Sequence, residues 1–130
     1  MLRTIGGVVA GLITWGVVAT LLNIGLRHGI PGYTIAEKGL MAATPVMTFT
    51  LQMMIARLSI SGVSSLVSGY IAALAGNGGS APLIAGVILL IPFAYVHYTM
   101  YWHLFPLWYH LTFLISLPVL SVIGGSLRRG

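Results

Sequence analysis

Charged side chains are scarce in this sequence, and acidic ones are almost absent. Only 5% of the 130 residues are charged and Glu37 is the single acid, whereas soluble domains carry about 25% charged residues. So few charges cannot cover a water-soluble globule, and the mean hydropathy is +1.01. The composition therefore predicts a single-domain integral membrane protein whose outer surface is covered by the lipid bilayer.

Cysteine is absent altogether, which excludes disulfides, thiolate catalysis and Cys-ligated metals. A basic stripe of the kind that follows nucleic-acid phosphates is also missing, because such a stripe needs clustered basic residues. The cations stand singly or in one terminal pair: Arg3, Arg27, Lys38, Arg57, Arg128 and Arg129. We therefore predict no nucleic-acid partner and assign the positive charge to membrane orientation.

Four hydrophobic segments reach the length of about 20 residues that a membrane-spanning helix needs. They are predicted at residues 5–26, 55–75, 82–98 and 106–127. The first is interpreted as a retained helix, because it is too long for a signal peptide and lacks a cleavage site. The sequence thus predicts an all-α, polytopic membrane protein with four transmembrane helices in a bundle.

The second hydrophobic stretch runs from Pro45 to Ala75 and is interrupted only by Arg57. As one helix it would extend about 46 Å, whereas the hydrocarbon core of a bilayer is about 30 Å thick. We therefore predict an overlong second helix, in which residues 45–54 project from the bilayer or lie at its interface. Arg57 would then lie near the boundary, where its charged end can reach water.

Orientation depends on the basic residues that flank the spans. With four spans both termini lie on one side, together with Arg3 and the Arg128–Arg129 pair, while Arg27, Lys38 and Arg57 lie on the other. The count is equal, and the free amine and the terminal pair favour termini in the cytoplasm. The prediction is a multi-pass protein of the inner membrane.

Small residues form the most specific pattern in the chain. Every fourth position of the second span is small, at Ser61, Ser65, Gly69 and Ala73, and a second ridge runs beside it at Ser64, Ser68 and Ala72. Gly7 and Gly11 form a weaker version in the first span. Because lipid does not drive apolar helices together, close contact between small faces is their main means of association. We expect the first two spans to meet here; the alternative is contact with another protein.

Polar residues gather at the end opposite the termini, because the first and third loops both fall there. The candidate polar site is Glu37, Lys38, Arg57, His97 and His103. Glu37 is expected in a loop, solvated and paired with its neighbour Lys38. Asn23 is expected to make an interhelical hydrogen bond. Because acid–base catalysis with one carboxylate needs a partner that the spacing does not supply, no enzyme activity is predicted.

Aromatic residues are dense between Tyr95 and His110 and are interpreted as an interfacial belt. The alternative is that His97, His103 and His110 ligate a metal or haem. Pro106 separates His103 from His110, and no carboxylate lies nearby in sequence. No cofactor is therefore predicted.

Three segments carry a family resemblance: residues 69–73, 106–110 and 124–128. Together they resemble small four-helix bacterial inner-membrane proteins of uncharacterised function, and the resemblance transfers no catalytic residue. The leading hypothesis is a non-enzymatic accessory or structural subunit that packs against other membrane proteins in a larger complex. The alternatives are a small oligomeric channel or transporter, lined by Glu37, Arg57 and Asn23, and a haem-binding electron carrier. Homo-oligomerisation is left open.

Overall fold

The computed structural model describes residues 1–128, so Arg129, half of the terminal basic pair, lies outside the described residues. The helices are α1 (Leu2–Gly29), α2 (Tyr33–Leu40), α3 (Leu51–Ala75), α4 (Ala81–Val96) and α5 (Leu107–Leu127), and a π-helical turn (His97–Tyr101) continues α4. Four of them, α1, α3, α4 with its π-helical turn, and α5, are long and apolar enough to cross a membrane. The prediction of an all-α membrane bundle with four spans is confirmed.

The start of α3 corrects the expected projecting helix. Residues 45–50 have irregular backbone, and the side chain of Thr50 accepts a hydrogen bond of 3.2 Å from the amide of Met53. This hydroxyl caps the helix and fixes its first residue as Leu51. The prediction of a helix at 45–54 is therefore wrong for residues 45–50. At 25 residues α3 is also shorter than α1, which has 28.

A short amphipathic helix, α2, replaces most of the loop that was expected between the first two spans. It follows Gly32, whose φ of 82° lies in the left-handed region that glycine tolerates. Tyr33, Ala36 and Leu40 lie along one face and are buried in a cluster with Phe49. Helix α2 therefore covers the end of the bundle opposite the termini, and the residues before α3 fold beneath it.

Helix α3 lies at the centre of the bundle and packs mainly against α1 and α5. In contrast, α1 buries only Gly7, Val8 and Gly11 along its whole length. The third span, α4, packs mainly against α5. This arrangement leaves α1 at the periphery of the bundle, and the C-terminal half of α1 lines a crevice between the helices.

Candidate functional site: a polar crevice at one end of the bundle

A crevice of about 250 Å³ opens between the helices at the end that α2 covers. Its walls combine apolar and polar side chains: Trp15, Ala19, Thr20, Asn23, Glu37, Arg57, Ile60, Ser61, Phe93 and Phe113. They come from four helices and α2, so the site exists only in the folded bundle. Of the predicted polar residues, the structure brings Glu37 and Arg57 together here.

Arg57 is the central charge of this crevice. It donates hydrogen bonds of 3.1 Å from Nε to the Tyr109 hydroxyl and 2.9 Å from Nη1 to the Tyr33 hydroxyl. Its guanidinium carbon lies 4.9 Å from the centre of the Phe49 ring, within the range of a cation–π contact. Among the described residues no carboxylate pairs with Arg57. Two phenols and an aromatic face therefore hold this cation in place.

The carboxylate of Glu37 is fully engaged by other groups. Oε1 accepts a bond of 2.6 Å from Arg27 Nε, and Oε2 accepts one of 2.7 Å from Asn23 Nδ2. Asn23 Oδ1 accepts in turn from the Tyr33 hydroxyl at 2.6 Å. Because Tyr33 also accepts from Arg57, one chain of hydrogen bonds runs from Arg57 to Glu37. It ties α1, α2 and α3 together.

This arrangement overturns the expectation that Glu37 is a solvated loop residue paired with Lys38. Glu37 lies on α2, its side chain is only 13% exposed, and its partner is Arg27. Neighbouring residues on a helix point in different directions, and Lys38 is exposed at the surface. The ion pair therefore joins α2 to α1.

The network sets the protonation of two titratable groups on α2, Glu37 and Tyr33. Burial raises the pKa of Glu37, but hydrogen bonds from Arg27 and Asn23 and the nearby positive charges outweigh it, so the pKa lies below its ordinary value. Burial raises the pKa of Tyr33 above its ordinary value, although Arg57 opposes the shift. At neutral pH, Glu37 is therefore charged and Tyr33 is neutral. Since Glu37 balances Arg27, the positive charge of Arg57 remains.

The histidines form a pair beside the crevice. His97 Nδ1 lies 2.8 Å from His110 Nδ1, and His110 Nε2 lies 3.3 Å from the Trp102 carbonyl oxygen. A carbonyl only accepts, so Nε2 of His110 carries a proton; in a neutral ring its Nδ1 then accepts from His97. His103, in contrast, is exposed and takes no part.

The haem alternative gains no support from this geometry. Two axial ligands stand on opposite sides of an iron, whereas these two ring nitrogens are in direct hydrogen-bond contact. The chamber beside His97 holds about 90 Å³, far less than a porphyrin needs. Within residues 1–128 no group of three or more His, Asp or Glu side chains is placed to hold a metal ion.

The predicted small residues of α1 meet α3, as the sequence indicated. A Cβ on Gly7 would lie 2.5 Å from the Ala72 carbonyl oxygen, and one on Gly11 would lie 3.0 Å from the Ala72 Cβ. The Ser68 hydroxyl donates a buried hydrogen bond of 2.7 Å to the Gly11 carbonyl. Ser68 and Ala72 of the second ridge therefore make close contacts with α1.

The other ridge serves several neighbours. Ser65 accepts a bond of 3.1 Å from Trp15 Nε1 of α1, Gly69 lies against the backbone of Ser121 in α5, and Ala73 is buried near the loop to α4. Ser61 lines the crevice, and its hydroxyl is buried without a hydrogen-bond partner in the described chain. The predicted meeting with α1 thus missed the α5 contact, which Ser121, Gly124 and Gly125 could have signalled.

Comparison with known proteins adds no identity. No family model, no curated protein and no solved structure matches this chain. Sequence reasoning also missed the two crevice phenols, Tyr33 and Tyr109. Tyr109 falls in the stretch that was interpreted as an aromatic belt, and no sequence signal links either tyrosine to Arg57. The crevice itself is therefore the basis for a functional proposal.

Proposed function

We propose that this protein is a non-enzymatic membrane protein that binds a small solute in the crevice, as part of a small oligomeric transporter. The observation that carries this proposal is Arg57, a cation inside the bundle that two tyrosine hydroxyls hold and no described carboxylate neutralises. Arg57 is the seventh of the 25 residues of α3, one of the four candidate spans. Ionisable residues within membrane spans commonly mark paths for substrates or ions.

The shape of the bundle favours a binding site over an open pore in a single copy. The crevice occupies one end, and at the other end the helix backbones are in contact at Gly69 and Gly124. A solute can therefore enter from one side only, unless the closed end rearranges or several copies share a path. A rearrangement of the closed end and a path shared by several copies are each compatible with a transporter. A permanently open channel in a single copy is not.

The non-enzymatic part of the proposal is supported by the lack of a free acid–base group in the crevice. Both oxygens of Glu37 already accept hydrogen bonds from Arg27 and Asn23. His97 and His110 are not among the residues that line the crevice. General acid–base catalysis needs a group that can reach its substrate, and both oxygens of the crevice carboxylate are already bonded.

A flux experiment tests the proposal. Proteoliposomes are offered radiolabelled methylammonium, glycerol, glycine and acetate, which cover the positive, neutral, zwitterionic and negative classes. At least one should enter faster than it enters protein-free liposomes, and Arg57→Gln should abolish the difference. Lys38→Gln is the matched control, because it removes an exposed cation outside the crevice. If none of the four enters, or if the two variants behave alike, the proposal is wrong.

A second candidate function is the accessory subunit, and the free face of α1 favours it. A Cβ on Gly16 would meet nothing within 4 Å, and Gly16 and Thr20 line a shallow groove on the outside of the helix. Small residues four positions apart are typical of contacts between membrane helices. Purification in mild detergent tests this candidate, and a homogeneous monomer without a co-purifying membrane protein would rule it out.

The bacterial inner membrane and cytoplasmic termini remain part of the proposal. The basic residues divide between the two ends, with Arg3 and Arg128 at the terminal end and Arg27, Lys38 and Arg57 at the other, so the orientation needs a direct test. Because the chain contains no cysteine, a single cysteine at Ser126 can be labelled without removing others. An impermeant maleimide should not reach Ser126→Cys in intact cells; labelling there would reverse the orientation.

A further inference from the structure

We infer that the crevice binds the carboxylate of a small monoanion, with Arg57 and Ser61 as the binding groups. This inference rests on the proposed solute-binding function and names the chemical class of the solute. Four features of the crevice carry it: unused donors, net charge, volume and the character of the walls.

The first feature is a set of unused hydrogen-bond donors. Arg57 has five N–H groups, and its described bonds to the two tyrosines use one on Nε and one on Nη1. Nη2 makes no hydrogen bond within the described chain. Ser61 is only 2% exposed, lines the same crevice, and has a hydroxyl without a partner among the described residues. A buried hydroxyl without a partner is costly, and an acceptor bound in the crevice would satisfy it.

The second feature is the net charge. Arg27 and Glu37 form an ion pair and cancel, so Arg57 leaves the crevice with one positive charge. A monoanion neutralises this charge, whereas a monocation would add to it and a dianion would reverse it. Charges interact far more strongly at low dielectric than in water, so the crevice discriminates mainly by the sign of the charge. A planar carboxylate also matches the fork of a guanidinium.

The remaining two features are the volume of the crevice and the apolar character of its walls. At about 250 Å³ the crevice lies below the range of about 300–1,000 Å³ that is usual for drug-sized ligands. Trp15, Ile60, Phe93 and Phe113 supply apolar surfaces beside Arg57. The part of the ligand that the crevice holds is therefore small: one carboxylate and a short apolar segment. Such a carboxylate can come from the aqueous phase or from a fatty acid in the membrane.

The experiment uses three probes that share one body and differ in charge. The full chain in phosphatidylcholine nanodiscs is titrated with butyrate, butylammonium and butanol. Butyrate should bind saturably, and the other two should bind at least tenfold more weakly. A fourth arm adds oleate to the bilayer: displacement of butyrate at low lipid fractions identifies the membrane as the source, and its failure identifies the aqueous phase.

Two pairs of variants test the assigned residues. Arg57→Gln should weaken butyrate binding about tenfold or more, since it removes a charged donor, and Arg57→Lys should lose less. Ser61→Ala should weaken it severalfold, while Ser64→Ala, which removes another buried hydroxyl without a partner outside the crevice, should leave it unchanged. If Arg57→Gln does not fold, the comparison of Ser61→Ala with Ser64→Ala still tests the inference. So does the comparison of butyrate, butylammonium and butanol on the wild-type protein.

Failure of this inference differs from failure of the proposed function. If butylammonium or butanol binds as tightly as butyrate, the crevice binds solutes but not anions, and only this inference is overturned. Equal effects of Ser61→Ala and Ser64→Ala also overturn it. If none of the probes binds and none of the four solutes enters proteoliposomes, both are wrong.

Discussion

The two ends of this bundle are built from the same helices but differ in how closely those helices approach. Toward the termini, Gly69 lies against the backbone of Ser121 and Gly124 against that of Leu66, so that α3 and α5 touch along their main chains. Toward α2, the same two helices carry Arg57 and Phe113, and a crevice lies between them and α1. In lipid, where no hydrophobic effect pulls helices together, side-chain size at the contact decides between a sealed end and an open one.

The two ends of the bundle are also expected to differ in what they contribute, stability at the sealed end and binding at the open end. The sealed end gains from close packing, which is sensitive to the addition of single atoms. The open end holds a hydrogen-bonded network around Glu37 and Arg57, which fixes positions and charges without filling space. Changes at the sealed end should therefore affect mainly unfolding, and changes at the open end mainly pH dependence and binding.

The largest expected effect is that of one methyl group at the sealed end. The Cβ of Gly69→Ala would overlap the main chain of Ser121, and backbone cannot yield as a flexible side chain can. We expect the free energy of unfolding in detergent to fall by about 3 kcal/mol or more, the upper end of the range for overpacking. Gly16→Ala is the matched control, because a Cβ there meets nothing within 4 Å. Equal stability of the two variants would contradict the close contact of α3 and α5.

A smaller effect is expected at the open end, when the ion pair between α2 and α1 is lost at low pH. The folded-state pKa of Glu37 is below its ordinary value. Its contribution to stability is therefore full above the ordinary pKa and is lost as the pH falls through the folded-state value. We expect a loss of about 1.5–3 kcal/mol, the scale of hydrogen bonds to a charged group, measured by thermal unfolding between pH 7 and pH 3.

The sequence offers an unusually clean control for this measurement. Glu37 is the only Asp or Glu in the chain, so Glu37→Gln should be less stable at pH 7 and should reduce the acid limb of the pH profile. The buried His97–His110 pair, which must be protonated at low pH, should keep its own part of that limb. Lys38→Gln should keep the wild-type profile, since Lys38 lies outside the ion pair. An unchanged acid limb in Glu37→Gln would show that the network does not hold α2 to α1.

How far the sequence predicts this structure depends on the kind of signal. Hydropathy predicted the four spans because the bilayer demands long apolar helices, and small-residue spacing indicated the contact of α1 with α3. The start of α3 could not be predicted because the Thr50 hydroxyl caps the helix inside a continuous apolar stretch. Hydropathy alone does not locate such a cap. The partner of Glu37 was missed because α2 turns it away from its neighbour Lys38 and toward Arg27. Such partners depend on tertiary placement, which no local pattern contains.

The smallest expected effect distinguishes two buried serines of α3. Ser68 and Ser64 are both fully buried one turn apart, but only Ser68 has a partner, the Gly11 carbonyl at 2.7 Å. Ser68→Ala should lower the free energy of unfolding by about 0.6 kcal/mol, the average measured for hydrogen bonds between membrane helices. Ser64→Ala should leave it unchanged or raise it slightly, because the removed hydroxyl has no partner in the described chain. An equal response from both variants would mean that the bond from Ser68 to Gly11 does not stabilise the contact of α1 with α3.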